Sequence, residues 1–261
     1  MSMQLNRLLN LWRSRNRRKP NLVLINGLAE HSETWVCNLP VWTREFEIFQ
    51  PVLVAYDADW LHQPAFRDEP IDVQFLVRRL SEFLEAKDVE PPYNLVANSL
   101  GGKVAVEFAL KYPHLVRRLA LIGPSGMSPV ERMPIVAGVR RGDMESVISS
   151  VFFDRRFVRR EFVDRYQTQV KIRRWKSGLI RTIRGTIGHT VRDRVIQLRS
   201  PTLFVIGKDD QIIDADSSTD AARTIPDVRI HVFSKCGHAP QIEKSRQVNR
   251  LVRNFMLREA A

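Results

Sequence analysis

The sequence predicts an α/β fold: a mostly parallel sheet with helices on both faces and a helical lid inserted late in the chain. Three observations carry this. Short, continuously apolar runs alternate with segments whose apolar residues recur at helical spacing, the pattern of strands buried on both faces. One strand-to-helix junction, "LVANSLGGKVAVEFALKYP" from Leu95 to Pro113, is very tight and has a serine at its turn. Between Ser125 and Arg199 the alternation stops, and the chain there is helical in pattern, rich in arginine and without a good strand.

In chain order, residues 1–20 read as a basic amphipathic segment, with Leu5, Leu8, Leu9 and Trp12 near helical spacing. "NLVLING" is a first strand ending in Gly27, and "FQPVLVAYD" a second. Val73, Leu76, Val77, Leu80, Phe83 and Leu84 mark a helix. "NLVANS" is a third strand, and the helix after it turns Val104, Ala105 and Phe108 inward. "RRLALIG", "PTLFVIG" and "VRIHVF" complete the sheet, and Val248, Leu251, Val252 and Phe255 share one face of a last helix. The expected organisation is a core of residues 21–124 and 200–261, with residues 125–199 as a lid at a strand's C-terminal end, where α/β sheets put their ligand sites.

With 261 residues and 44% apolar, the chain can bury one large core. No apolar run reaches the roughly 18 residues of a spanning helix. Asn6, Asn10 and Arg13 interrupt the first apolar residues, so no signal peptide is expected. Cys37 and Cys236 alone make no disulfide framework, and the expected location is the reducing cytoplasm. The net charge of +12 is uneven. Residues 1–20 carry +6; residues 125–199 carry 15 Arg and 2 Lys against 7 Asp or Glu, a net of +10. Two basic segments thus flank a body of −4, as solvated arginines or as attraction to an anionic substrate or membrane surface. No nucleic-acid motif accompanies the charge, and no nucleic-acid partner is expected.

Strand, sharp turn, helix is the setting of a nucleophile elbow, which lifts a serine hydroxyl above the sheet. Strand and helix converge there, so the residues two before and two after Ser99 must be small; they are Ala97 and Gly101. A serine hydroxyl needs a base and an orienting acid, and for an elbow of this kind the chain order is serine, acid, histidine. His238, in "SKCGHAPQIE" after the last strand, is the candidate base; His31, His62, His114, His189 and His231 sit elsewhere in the pattern. "FVIGKDDQIID" offers Asp209, Asp210, Asp214 and Asp216 as the acid, and G-x-x-D spacing from Gly207 favours Asp210, with Asp209 the natural competitor. An oxyanion hole needs two backbone N–H groups: that of Leu100, after the serine, and one from "INGLAEHSETW", for which Leu28 is the candidate and Gly27 permits close approach.

Together these residues resemble the α/β-hydrolase superfamily across nearly the whole chain. Within it, "LVANSLGGKVAVEFALKYP…LALIGPSGMSP" is similar to the elbow and following strand of the meta-cleavage-product C–C hydrolases, and "RIHVFSKCGH" with "NRLVRNF" to their catalytic-histidine region. The resemblance implies an α/β-hydrolase fold with a helical lid, a triad on Ser99, His238 and Asp210, and no cofactor or metal. It further implies substrate contacts at Asn98, Gly27, Arg165 and Ala239. The chain differs in having Asn26-Gly27-Leu28-Ala29 where that family has a glycine-rich oxyanion loop, Ala239 where it has a tryptophan, and Arg165 one residue out of register with its lid arginine. The expected activity is a serine hydrolase, a carboxylesterase on small or medium acyl esters. The alternatives are C–C hydrolysis by the same residues, or a ligand receptor that keeps the triad and turns over slowly.

Overall fold

The structure is a computed structural model that describes residues 19–30, 32–63, 66, 69 and 71–258. The basic amphipathic segment expected over residues 1–20 lies, up to residue 18, outside the described residues. The elements run β1 (Asn21–Ile25), β2 (Glu47–Phe49), α1 (Val73–Ala86), β3 (Tyr93–Asn98), α2 (Leu100–Lys111) and β4 (Val116–Ile122). Four helices follow: α3 (Pro134–Arg141), α4 (Met144–Val151), α5 (Arg160–Gln169) and α6 (Arg173–Thr186). Then come β5 (Thr202–Gly207), α7 (Ala215–Ala222), β6 (Val228–Phe233) and α8 (Ser245–Met256).

The six strands form one sheet in the order β2-β1-β3-β4-β5-β6, and every neighbouring pair is parallel. Alternate residues of each strand go to opposite faces, as the pleat requires. Val23, Ile25, Leu95, Ala97, Leu119, Leu121, Phe204 and Ile206 pack with α1 and α2 on one face. Leu22, Leu24, Val96, Ala120, Ile122, Leu203 and Val205 pack with α8 on the other. The second strand is shorter and earlier than its apolar run suggests. It stops at Phe49, two residues before Pro51, which has no N–H to give a ladder and restricts the residue ahead of it. Val52, in that run, is 68% exposed.

The segment between β4 and β5 contains helices and no strand, apart from an isolated antiparallel bridge between Glu131 and Ile213. It has a small core of its own, Met144, Val147, Val170, Trp175, Leu179 and Ile183, closed by Ala29 and Tyr56 of the main body. Its return leg is pinned to α2. Lys103 Nζ donates to the Thr186 carbonyl at 3.1 Å, and the buried Glu107 carboxylate receives His189 at 2.8 Å and Arg194.

Candidate active site

Ser99 stands between β3 and α2 with φ 50° and ψ −120°, a conformation that L side chains rarely adopt. Three backbone bonds hold it there: its N–H donates to Ile122 O at 3.2 Å, and its carbonyl accepts from Gly102 N–H at 2.8 Å and Ser125 N–H at 3.0 Å. The packing explains the small neighbours. A Cβ on Gly101 would lie 2.5 Å from the Ile25 carbonyl oxygen, so α2 crosses β1 only with glycine there. Two positions before the serine, Ala97 is fully buried and its methyl is accommodated.

His238 follows β6 and is buried. Its N–H donates to Val151 O at 2.7 Å, and its Nδ1 lies 2.7 Å from Asp210 Oδ2. The other Asp210 oxygen accepts from the N–H groups of Ile212 and Ile213 at 2.8 and 2.9 Å. Asp209, next door, is exposed and, among the described residues, its carboxylate accepts only from the Cys236 N–H, at 3.4 Å. Of the four aspartates, Asp210 is therefore the one that reaches the histidine. Burial works against charging the His238 ring, but Asp210, by its charge and its hydrogen bond, and then Glu30 and Glu131 outweigh it and hold the pKa above the usual 6.5.

Ser99 and His238 line one cavity, with about 170 Å³ of water-accessible space. Leu28 and Leu100 line it too. The loop after β1 lies against the serine: a Cβ on Gly27 would be 2.9 Å from Ser99 Cβ. Among the described residues, neither the Leu28 nor the Leu100 N–H donates to a protein acceptor. Much of the remaining wall is apolar and comes from the helical insertion, including Met144, Val147, Ile148, Phe152 and Phe162. Ala239 is buried in that wall, at the position expected for it.

Two expected substrate contacts fall elsewhere, and a third, Gly27, lies against Ser99 without lining the cavity. Asn98 is buried and donates its Nδ2–H to Ile122 O at 2.9 Å, stapling β3 to β4 instead of facing the cavity. The side of a β-strand residue alternates, so a neighbour of the nucleophile points away from it. Gly27 borders a neighbouring pocket, with Glu30 and Leu100 between the two, and gives its N–H to Glu30 Oε2 at 2.8 Å. Arg165 is half exposed and paired with Glu33, and it is Tyr166, one residue on, that lines the cavity.

Sequence reasoning missed the carboxylates. Glu30 lies on the cavity wall, and burial raises its pKa above the usual 4.5 against the opposing pull of the Gly27 N–H, the His238 charge and Thr34. Lys103 and Glu131 form a buried pair at 3.0 Å in the same wall. A lysine and a glutamate, Lys103 and Glu107, spaced one turn apart in an otherwise small and apolar helix were the available signal. Glu243 had none: its buried carboxylate accepts from Gly237 N–H at 2.6 Å, Phe153 N–H at 3.1 Å and Asp154 N–H at 3.0 Å, tying the histidine loop to the end of α4. Among the described residues, no group of three His, Cys, Asp or Glu side chains converges as metal ligands do.

A serine on an elbow at the carboxyl end of a central parallel strand is the arrangement of α/β hydrolases, which sets the class. Residues 22–251 match the family model described as alpha/beta hydrolase family, and the chain belongs to that family. It is 27% identical to the 2-hydroxy-6-oxo-2,4-heptadienoate hydrolase of Pseudomonas putida over 91% of this chain and 89% of that one. It is 21% identical to the human monoacylglycerol lipase ABHD6 (Homo sapiens), over 94% of this chain and 77% of the other. A meta-cleavage product hydrolase from Pseudomonas fluorescens superposes with a TM-score of 0.77 at 22% identity, over 92% of this chain and 91% of that one, a likeness of fold. Among the described residues, no helix is long and apolar enough to cross a membrane.

Proposed function

We propose that this chain is a serine carboxylesterase for uncharged acyl substrates. Ser99 attacks the acyl carbonyl while His238 takes its proton. With Nδ1 engaged by Asp210, Nε2 is the basic atom, and Asp210 stabilises the imidazolium that forms. The N–H groups of Leu28 and Leu100 receive the oxyanion. His238 then activates water, which releases the acid and frees the serine. The helical insertion acts as the lid over this site, and its basic outer face meets anionic surfaces.

The observation that carries the choice of substrate is the charge of the cavity wall. Glu30, Glu33 and Glu131 line it. Arg165, the residue nearest to a substrate-holding arginine, is bound to Glu33, and Lys103 to Glu131. Arg132 also lines the cavity; it is exposed and donates to the Gln211 carbonyl at 3.4 Å. A substrate carboxylate carried into the buried part of the cavity meets Glu30 and two ion pairs, whereas an apolar acyl chain meets aliphatic and aromatic walls. Cleavage of a C–C bond by the same residues is the second reading, favoured by the activity named for the Pseudomonas putida relative. One enzyme preparation assayed on both substrate types separates them. Measurable kcat/KM is expected on short or medium p-nitrophenyl esters, and weaker turnover of a meta-cleavage dienoate. A dienoate kcat/KM well above that of every ester tested overturns the esterase reading in favour of the second.

A further inference from the structure

The loop over Ser99 has no run of glycines, yet it adopts a conformation that glycine would favour. Ala29 has φ 59°, in the left-handed region that a Cβ disfavours. Its two flanking peptide groups are both held by tyrosine hydroxyls. Ala29 N–H donates to Tyr56 Oη at 3.2 Å, and the Tyr166 hydroxyl donates to Ala29 O at 2.8 Å. Tyr56 belongs to the main body but stands edge-on to Trp175 of α6, ring centres 5.6 Å apart. Tyr166 is itself on α5. One turn-forming bond completes the loop, from Glu30 N–H to Gly27 O at 3.4 Å.

The peptide between Gly27 and Leu28 is planar and trans, so its N–H points opposite to its carbonyl. The Gly27 carbonyl points into the turn towards Glu30 N–H, which sends the Leu28 N–H out of it, on a residue that lines the cavity. The aim of that N–H depends on the turn, and the turn depends on Ala29 staying left-handed. Arg165 adds a second link from α5 to the same segment, through Glu33. Burial, with Glu30 and Glu33 close by, raises the Tyr166 pKa, so the hydroxyl keeps its proton to donate.

We propose that Tyr166 is a positioning residue for acyl transfer: its hydroxyl, carried by the helical insertion, fixes the Ala29 peptide and thereby aims the Leu28 N–H at the oxyanion. The insertion is then part of the oxyanion hole as well as a wall, and the hole is complete only with the insertion docked. This rests on the serine-hydrolase reading of Ser99.

The test compares the native protein with Tyr166→Phe, Ala29→Gly and the double variant. Each is assayed for ester turnover, for affinity towards an alkyl boronic acid, which forms a tetrahedral adduct, and for fluorophosphonate labelling of Ser99. Tyr166→Phe removes one oxygen and keeps the ring. Its kcat is expected to fall roughly ten- to thirtyfold, less than the 10²–10³ lost when an oxyanion donor is deleted outright. Boronate affinity should fall by a similar factor, with KM and the acid limb of the pH profile unchanged. Glycine is indifferent to φ sign, so Ala29→Gly in the Tyr166→Phe background should recover most of the loss, which repair of a merely structural defect would not do. Native kcat and boronate affinity in Tyr166→Phe overturn the proposal, as does a loss that Ala29→Gly fails to relieve. If the native protein is not labelled at Ser99, the underlying reading falls and this inference with it; labelling with unchanged boronate affinity removes this inference alone.

Discussion

The sheet and the helical insertion are held together by different kinds of contact. In the sheet, each strand is fixed by a ladder of backbone bonds and by apolar side chains alternating between two faces. No single residue decides its position. The insertion touches the body through an apolar cluster closed by Ala29 and Tyr56, through isolated backbone bonds such as His238 N–H to Val151 O, and through separate side chains: Lys103 to Thr186 O, Glu107 to His189 and Arg194, Tyr166 to Ala29 O, and Glu243 to Phe153 and Asp154. Each of these side-chain ties can be cut by one substitution. The sheet carries Ser99 and Asp210, whereas the insertion touches the loops bearing Leu28 and His238. Ser99 and Asp210 therefore stand at strand ends of the sheet, and their alignment with Leu28 and His238 is shared with the insertion.

The largest expected effect tests whether the chemistry resides in the sheet. Ser99→Ala should keep the fold, since the three bonds holding that turn are made by backbone groups. Ester turnover should fall by about 10⁴-fold or more, the scale for a triad member. Circular dichroism with steady-state assays checks both halves. Near-native hydrolysis by a folded Ser99→Ala protein would show that the nucleophile is elsewhere.

The next effect discriminates two adjacent carboxylates on one loop. Asp210→Asn should cost orders of magnitude in kcat, because an amide no longer enforces the imidazole tautomer. Asp209→Asn should cost little, since that carboxylate is exposed and reaches only one backbone N–H. The pH profile adds a sign. His238 must be neutral to act as base, so kcat/KM falls as pH drops through its pKa, which stands above the usual 6.5. Burial alone would push that pKa down, and Asp210 is the largest influence holding it up. Asp210→Asn should therefore move the acid limb of the residual activity to lower pH, and Asp209→Asn should leave it in place. An acid limb that moves the other way, or moves only with Asp209→Asn, contradicts the assignment.

The same contrast explains what was legible in the sequence. Periodicity reports burial averaged over many residues, so the strands, the helices over the sheet and the elbow at Ser99 could be read from it. β2 could not, because Pro51 ends a ladder that the apolar run alone would continue. The closeness of His238 to Asp210 was readable because motif spacing puts both just after strand ends. Asn98 was misplaced for a simple reason: adjacency in a strand reverses the side of the sheet. Glu131 and Glu243 left no pattern, since Lys103 and the Phe153 and Asp154 N–H groups are brought to them by the fold and not by the sequence, and Glu30 left none because its partners, the Gly27 N–H and Thr34, are an ordinary local turn until the cavity closes over it. Arg165 and Tyr166 show the limit most closely. One residue of register on a helix turns a side chain by about 100°, and here it exchanges a cavity-lining arginine for a tyrosine.

The smallest expected effect concerns the outer face of the insertion, where charge and apolar surface coincide. Residues 171–188 hold six basic residues and no acid. Arg174 pairs with Asp59, and Arg181 donates to the carbonyls of Leu61, Phe66 and Glu69. Among the described residues, no carboxylate pairs with Lys171, Arg173, Lys176 or Arg184. Ile180 of α6 and Ile172 and Ile187, the residues capping its two ends, are 38%, 42% and 48% exposed and recur along one side with Lys176 and Arg184. Their spacing in steps of four and three keeps them on one stripe. Such a face suits the headgroup region of an anionic bilayer, where each basic residue near the surface contributes about 1 kcal/mol. Binding to vesicles containing phosphatidylserine is expected at low salt. It should weaken as salt rises, because the screening length is about 10 Å at 0.1 M. Arg173→Gln with Arg184→Gln should reduce partitioning while leaving turnover of a soluble ester unchanged, since neither side chain lines the cavity. Equal partitioning onto neutral and anionic vesicles would leave the +10 of the insertion as solvated surface. The tie through Tyr166 would then be the insertion's sole tested link to the chemistry.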